Sequence, residues 1–192
     1  MMSEPTSLTL LERARRRDPQ GWSRLVALYG PLVEHWCRRG GARPADAADI
    51  AQEVFLAVAD GLTDFERRRP GSFRAWVRGI TRHKLLDYHR RAGRHPPAAG
   101  GTAAQARLEA LPDPAAGGED DAAETGGLYH RALDLIRSEF EDRTWRAFWQ
   151  TAVDGRTAAD AGAELGMTAV AVRVAKARVL ARLRAEVGGL ID

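Results

Sequence analysis

The stretch TAADAGAELGMTAVAVRVAKARVLARLR, Thr157 to Arg184, constrains the fold more than any other part of the chain. Ala158 to Leu165 reads as a short helix, and Gly166 supplies the left-handed residue that ends it. Thr168 is suited to N-cap the next helix. Gly162 falls where the two helices must approach closely, so a small residue is required there. Glycine goes further than that fit needs, and is expected to cost about 0.5–1 kcal/mol against alanine. The second helix is expected to bury Val172, Ala175, Val179 and Leu183 and to carry basic groups elsewhere. A helix-turn-helix presents the start of its second helix to a DNA major groove. The candidate contacts are therefore Thr168, Ala169, Val170, Arg173, Lys176 and Arg178, base edges first and phosphates later. A helical hairpin with a solvated basic face would show the same pattern.

Charge supports the first reading. The chain of 192 residues has a net charge of +3, unevenly spread. From Arg74 to Arg94 seven basic residues face one acid, Asp87. From Thr168 to Arg184 there are five basic residues and no acid. Between them, residues 95–127 carry a net charge of −5. Two basic blocks around an acidic spacer suit two contacts with one polyanion.

The spacer reads as a linker by composition too. HPPAAGG, LPDPAAGGEDD and ETGG combine Pro, Gly, Ala and acid, with few large apolar residues to offset ordering entropy. The expected organisation is a helical domain over residues 1–93, a linker over 94–127 and a second helical domain over 128–192. The flanking pieces are helical by periodicity. In GWSRLVALYGPLVEHWCRR, Trp22, Leu25, Val26, Tyr29, Leu32, Val33 and Trp36 recur on one face, with a kink or break expected at Pro31. LYHRALDLIRSEF and EDRTWRAFWQTAV are two more amphipathic segments. No convincing strand alternation appears, so the fold class is all-α.

The basic block FRAWVRGITRHKLLDYHRR, Phe73 to Arg91, separates by helical phase. Phe73, Trp76, Val77 and Ile80 share a core direction, while Arg74, Arg78 and Arg82 form a stripe on a distant flank. Like charges at that spacing destabilise an isolated helix by about 0.2–0.5 kcal/mol per pair, which a bound phosphate chain would reverse. Beyond Ile80 the pattern loosens: Lys84 returns to the apolar phase and Leu86 leaves it. That half must bend or touch something on more than one side. A solvated face is the plainer alternative. His83 and His89, six residues apart, do not suit two ligands on one helix face, so no metal site is expected.

A second exposed surface stands out in DIAQEVFLAVAD. Ile50, Val54, Phe55 and Val58 form its core face, and the opposite face carries Asp49, Gln52, Glu53, Leu56 and Asp60. Acid near a helix N-terminus is ordinary. An apolar Leu56 set among acids is not, and it suits docking to a basic helical partner.

Taken in order, these segments resemble the small extracytoplasmic-function type of bacterial sigma factor over nearly the whole chain outside the linker. DIAQEVFLAVADGL resembles the helix that docks on the β′ clamp helices of RNA polymerase. FRAWVRGITRHKLLDYHRR resembles the segment that melts promoters and reads the −10 element. The family core W-L-x-x-I-A-x-N becomes Trp76, Val77, Ile80, Thr81 and His83, with His83 in place of the common Asn. EDRTWRAFWQTAVDG and the helix-turn-helix resemble the domain that reads the −35 element, with Gly162 where alanine is usual.

The resemblance implies that Asp49, Gln52, Glu53, Leu56 and Asp60 bind polymerase. It implies that Arg67, Arg68, Arg69, Arg74, Trp76, Arg78, Arg82, His83, Lys84, Tyr88, Arg90 and Arg91 hold or melt −10 DNA. The loop DFERRRPGS would help capture a flipped −10 base, and the acidic linker would thread a polymerase channel. The implied partners are core RNA polymerase (the β′ clamp helices and the β subunit), promoter DNA and, as is common in the family, an anti-sigma factor. No cofactor is implied, and the free chain would be a monomer. A helix-turn-helix regulator or polymerase adaptor without its own initiation activity is the alternative. An enzyme is disfavoured, because no nucleophile–base grouping, phosphate-cradling glycine loop or metal-spaced cluster appears. One cysteine, no run of about 18 apolar residues and no secretory signal point to the cytoplasm.

Overall fold

The computed structural model describes residues 9–66, 72–91 and 119–191. Every element among them is helical: α1 Leu10–Arg15, α2 Pro19–Arg39, α3 Pro44–Gly61, α4 Ser72–Arg91, α5 Glu119–Arg137, α6 Asp142–Ala152, α7 Ala158–Leu165 and α8 Ala169–Val187.

α2 is the centre of the molecule. Leu25, Leu28, Tyr29, Leu32, Val33 and Trp36 are buried, and α1, α3, α4 and α5 all pack on it. Asp18 caps its N-terminus and Pro19 occupies the first turn, where a missing N–H costs nothing. Of the kink or break expected at Pro31, the break does not occur, and α2 runs through it. Proline frees the carbonyl four residues back. Here that residue is Ala27, which is exposed, so water can satisfy the group. α1 was not anticipated, although Thr9 and Glu12 spell a capping box. The Thr9 N–H donates to Glu12 at 2.8 Å and the Glu12 N–H to Thr9 at 3.3 Å.

α4 packs on both α2 and α3. Phe73 and Val77 are buried, as the phase analysis expects, and Trp76 and Ile80 are half-buried. The loosened half beyond Ile80 touches two helices. Leu85 is buried over the end of α2, where a Cβ on Gly40 would lie 2.5 Å from its Cδ1. His89 Nε2 donates to the Gly40 carbonyl at 2.8 Å. From the α3 side, the Tyr88 hydroxyl donates to Asp46 at 2.6 Å, and Lys84 and Arg91 reach Glu53.

α5 starts inside the segment whose composition reads as linker. It begins at Glu119 and continues through Gly126 and Gly127, so the last part of the acidic spacer is helix. Glu124, Leu128, Ala132 and Ile136, at four-residue steps, form a buried seam against the rest of the molecule. Packing of that seam outweighs the weak helix propensity of two glycines. A Cβ on Gly126 would meet nothing within 4 Å. Gly126→Ala is therefore expected to stabilise the chain by about 1 kcal/mol, raising Tm by about 2–4 °C in calorimetry. An unchanged or lower Tm would mean that residue 126 is not inside a helix.

α6, α7 and α8 pack on one another, and α8 also packs on α5 and α1. One apolar cluster therefore includes residues of α1–α6 and α8, with Leu190 and Ile191 beyond α8. Tyr29, buried and so held protonated above its ordinary range, donates its hydroxyl to the Leu190 carbonyl. Arg131 donates to the Leu28 carbonyl at 2.8 Å. Arg24 bridges Glu186 at 2.6 Å and Glu139 at 2.9 Å, and Arg182 pairs with the same two acids. Burial raises the Glu139 carboxyl, but hydrogen bonds from Arg182 and Arg24 outweigh it and leave it below the ordinary range. Cys37 is buried in α2 and its thiol is pushed up to about 12, so it is poorly nucleophilic.

Candidate nucleic-acid interface

The turn between α7 and α8 forms as expected. Gly166 has φ 62° and ends α7, while the Thr168 hydroxyl accepts the Ala171 N–H at 3.1 Å. Gly162 is tighter than expected: a Cβ there would lie 2.5 Å from the Met167 carbonyl oxygen. Glycine is thus what this backbone approach requires, not an excess over alanine. α6 fastens the turn from behind. Arg143 donates to the Leu165 carbonyl at 3.0 Å and also to that of Gly166. Glu164 gathers Arg156, Gln150 and Arg146, and the Arg156 hydrogen bond leads in holding its carboxyl below the ordinary range.

This support lays α8 with Val172, Ala175, Val179 and Leu183 inward. Thr168, Arg173 and Arg178 are exposed, Ala169 is half-buried, and Val170 is 61% exposed. Lys176 differs from the expectation. It is half-buried and donates to the Thr151 carbonyl at 3.1 Å, closing the end of α6. The sequence reading missed Val174, which is 52% exposed one turn beyond Val170. Its signal was available: an apolar residue four after Val170, out of phase with Val172, Ala175 and Val179.

On α3, Leu56 is 67% exposed, and Asp49, Gln52 and Asp60 are exposed around it. Glu53 is half-buried and pairs with Lys84 at 3.5 Å and Arg91 at 3.3 Å. The Arg91 hydrogen bond is the main cause that holds its carboxyl below the ordinary range.

α4 shows the largest departure. The arginine stripe was expected on an open flank, but Arg78 is 6% exposed and lies under α5. Its Nη2 donates to Glu124 at 2.6 and 2.5 Å, and its guanidinium sits 4.8 Å from the Trp36 ring centroid. Arg74 pairs with Asp121 at 2.6 Å and donates to Thr125. In this arrangement neither arginine is open to a phosphate, because acids 46–47 residues away in sequence cover both. Trp76 is tilted onto Phe65 at 4.8 Å and half-buried. Lys84, Tyr88 and Arg91 are engaged with α3, and Arg90 pairs with Asp87 at 2.9 Å. Arg82 and His83 are exposed. Arg67, Arg68 and Arg69 lie outside the described residues. Among the described residues no group of three or more His, Cys, Asp or Glu could hold a metal ion.

A family model described as Sigma-70 region 2 matches residues 25–95, which take in most of α2 and all of α3 and α4. The ECF RNA polymerase sigma factor ShbA of Streptomyces griseus is 37% identical over 183 residues, covering 92% of each chain. The chain belongs to the extracytoplasmic-function (ECF) family of RNA polymerase sigma factors. The ECF sigma factor SigD of Mycobacterium tuberculosis is 32% identical over 173 residues, 82% of this chain and 72% of that one. Among solved structures, CnrH in complex with the cytosolic domain of CnrY aligns at 26% identity and a TM-score of 0.38, covering 92% of this chain and 93% of that one. As an ECF sigma factor the chain is a non-enzymatic subunit that directs RNA polymerase to promoters. No helix among its described residues is long and apolar enough to cross a membrane.

Proposed function

We propose that this ECF sigma factor divides initiation among three surfaces. The Leu56 face of α3 docks on the β′ clamp helices of core polymerase. α4 and the loop before it hold and melt the −10 element, with Arg82, His83 and Arg90 outward and Arg74 and Arg78 joining once uncovered. The start of α8 reads the −35 element in the major groove. The protein works in the cytoplasm, where polymerase and promoter DNA are. The residues between α4 and α5 connect the two DNA-reading halves.

The observation that carries this reading is the face of α8. Val170, Arg173 and Val174 point outward together at the start of a helix whose opposite side is core. Apolar side chains there suit thymine methyl groups, and an arginine between them suits a guanine edge or a phosphate. Transcription reconstituted from core polymerase, the purified chain and genomic fragments tests the whole reading. Promoter-dependent transcripts are expected. Their absence from every fragment would return the adaptor reading.

Arg173→Ala is expected to weaken binding to the upstream promoter element by about 1–3 kcal/mol and relax preference at one base pair. A footprint unchanged in strength and sequence would move the reading face away from Arg173. Val174→Ala is the companion, since loss of a methyl contact should alter preference at a single thymine.

A further inference from the structure

α5 places two carboxylates over the arginines of α4. Asp121 pairs with Arg74, and Glu124, 8% exposed, pairs with the buried Arg78. The Trp36 N–H donates to the same Glu124 at 2.7 Å, which fixes the acid above the guanidinium. A second tie lies on the other side of α5 and α8, where Arg24 grips Glu186 and Glu139. We propose that Asp121 and Glu124 are an internal substitute for the DNA backbone, latching the free chain shut with Arg74 and Arg78 hidden.

The chemistry of the contact suits a latch that must release. Taking a carboxylate and a guanidinium out of water costs much of what their attraction returns. Arg78 uses Nη2 for both Glu124 oxygens, and its Nε is buried without an acceptor among the described residues. The two-pronged geometry that a phosphate accepts from arginine is therefore left unused. The latch also leaves other surfaces open. Leu56 is 67% exposed, and Val170 and Arg173 face outward. Polymerase can dock on α3 while the chain is shut, and a later opening would deliver Arg74 and Arg78 to the strand being melted. A closed free chain would then ignore DNA until polymerase holds it.

The proposal rests on the reading of α4 as the −10 helix, and the test separates the two. The full-length chain and its Asp121→Asn, Glu124→Gln double variant are treated with phenylglyoxal, and modification of each arginine is followed by mass spectrometry. Binding to a pool of short, random-sequence, labelled single-stranded DNA is measured alongside, without polymerase. In the wild type, Arg74 and Arg78 should react much more slowly than exposed Arg82. In the variant their rates should approach that of Arg82. If the open form is about a tenth of the population or less, DNA binding should tighten about tenfold or more. Adding Arg74→Gln and Arg78→Gln should remove that gain. Arg24→Gln, which cuts the second tie far from α4, should move both readouts the same way and keeps the test decisive if the first variant misfolds. Wild-type Arg74 and Arg78 reacting as fast as Arg82 would overturn the latch itself. Arginines that become reactive with no change in DNA binding would overturn the proposal through the reading of α4 instead.

Discussion

A Leu56→Glu chain is expected to lose binding to core RNA polymerase while keeping its melting temperature within about 2 °C of the parent, as surface changes do. Leu56 is 67% exposed, so the free protein loses almost no packing when it is replaced. In the docked state the arithmetic reverses. Burying a leucine contributes about 1.5–3 kcal/mol, and a glutamate at the same point puts an unpaired charge into an apolar contact. Together these should exceed about 3 kcal/mol, more than a hundredfold in affinity. Rim acids behave differently, because exposed charges act mainly on encounter rate and fade with salt. Asp49→Asn and Asp60→Asn should each weaken binding modestly, and less at higher ionic strength. Co-elution of chain and core polymerase in gel filtration, with a salt series, reads all three. Leu56→Glu binding as well as the parent would remove the docking face from α3.

What the sequence made legible follows the range of the interactions involved. The turn before α8 was readable because its determinants are local: Thr168, Gly166 and the inward valines lie within a few turns of one another. The core phase of α3 was readable for the same reason, and with it the outward position of Leu56. Arg74 and Arg78 fall by phase on a flank distinct from Phe73 and Val77, as read, but that flank is covered rather than open. Their partners were not legible, because Asp121 and Glu124 lie in a segment whose Gly, Pro and acid content reads as linker. Composition sees two glycines in ETGG, but the four-residue seam from Glu124 to Ile136 decides that the segment is helix. Lys176 shows the same limit from the other side. Its phase puts it near the outward Val170–Arg173 face of α8, and a carbonyl at the end of α6, 25 residues away, engages it first. Glycine 162 was read as an indulgence because the turn backbone that crowds it cannot be seen in one dimension.

Phe73→Ala is expected to cost about 3–5 kcal/mol of stability, the range for emptying a buried aromatic site. Phe73 is 1% exposed at the start of α4, edge-on to Tyr29 at 5.2 Å and to Phe65 at 5.4 Å, with Trp76 at 5.7 Å. Aromatic pairs of this geometry add about 0.5–1.5 kcal/mol beyond their buried area, so neighbours lose as well as the site. For a chain of this length the loss corresponds to a fall in Tm of about 6–20 °C. Arg82→Ala, on an exposed position of the same helix, should change stability by less than about 0.5 kcal/mol. The contrast tests the phase of α4 directly, because both residues belong to one basic, aromatic segment and differ in the face they occupy. Comparable losses at Phe73 and Arg82 would mean that the helix is rotated from the orientation described. Phe73→Leu should recover most of the lost stability by refilling the space, although the edge-on contacts with Tyr29 and Phe65 cannot be rebuilt. The residual deficit in Phe73→Leu then measures what those ring contacts contribute at the point where α4 is anchored to α2.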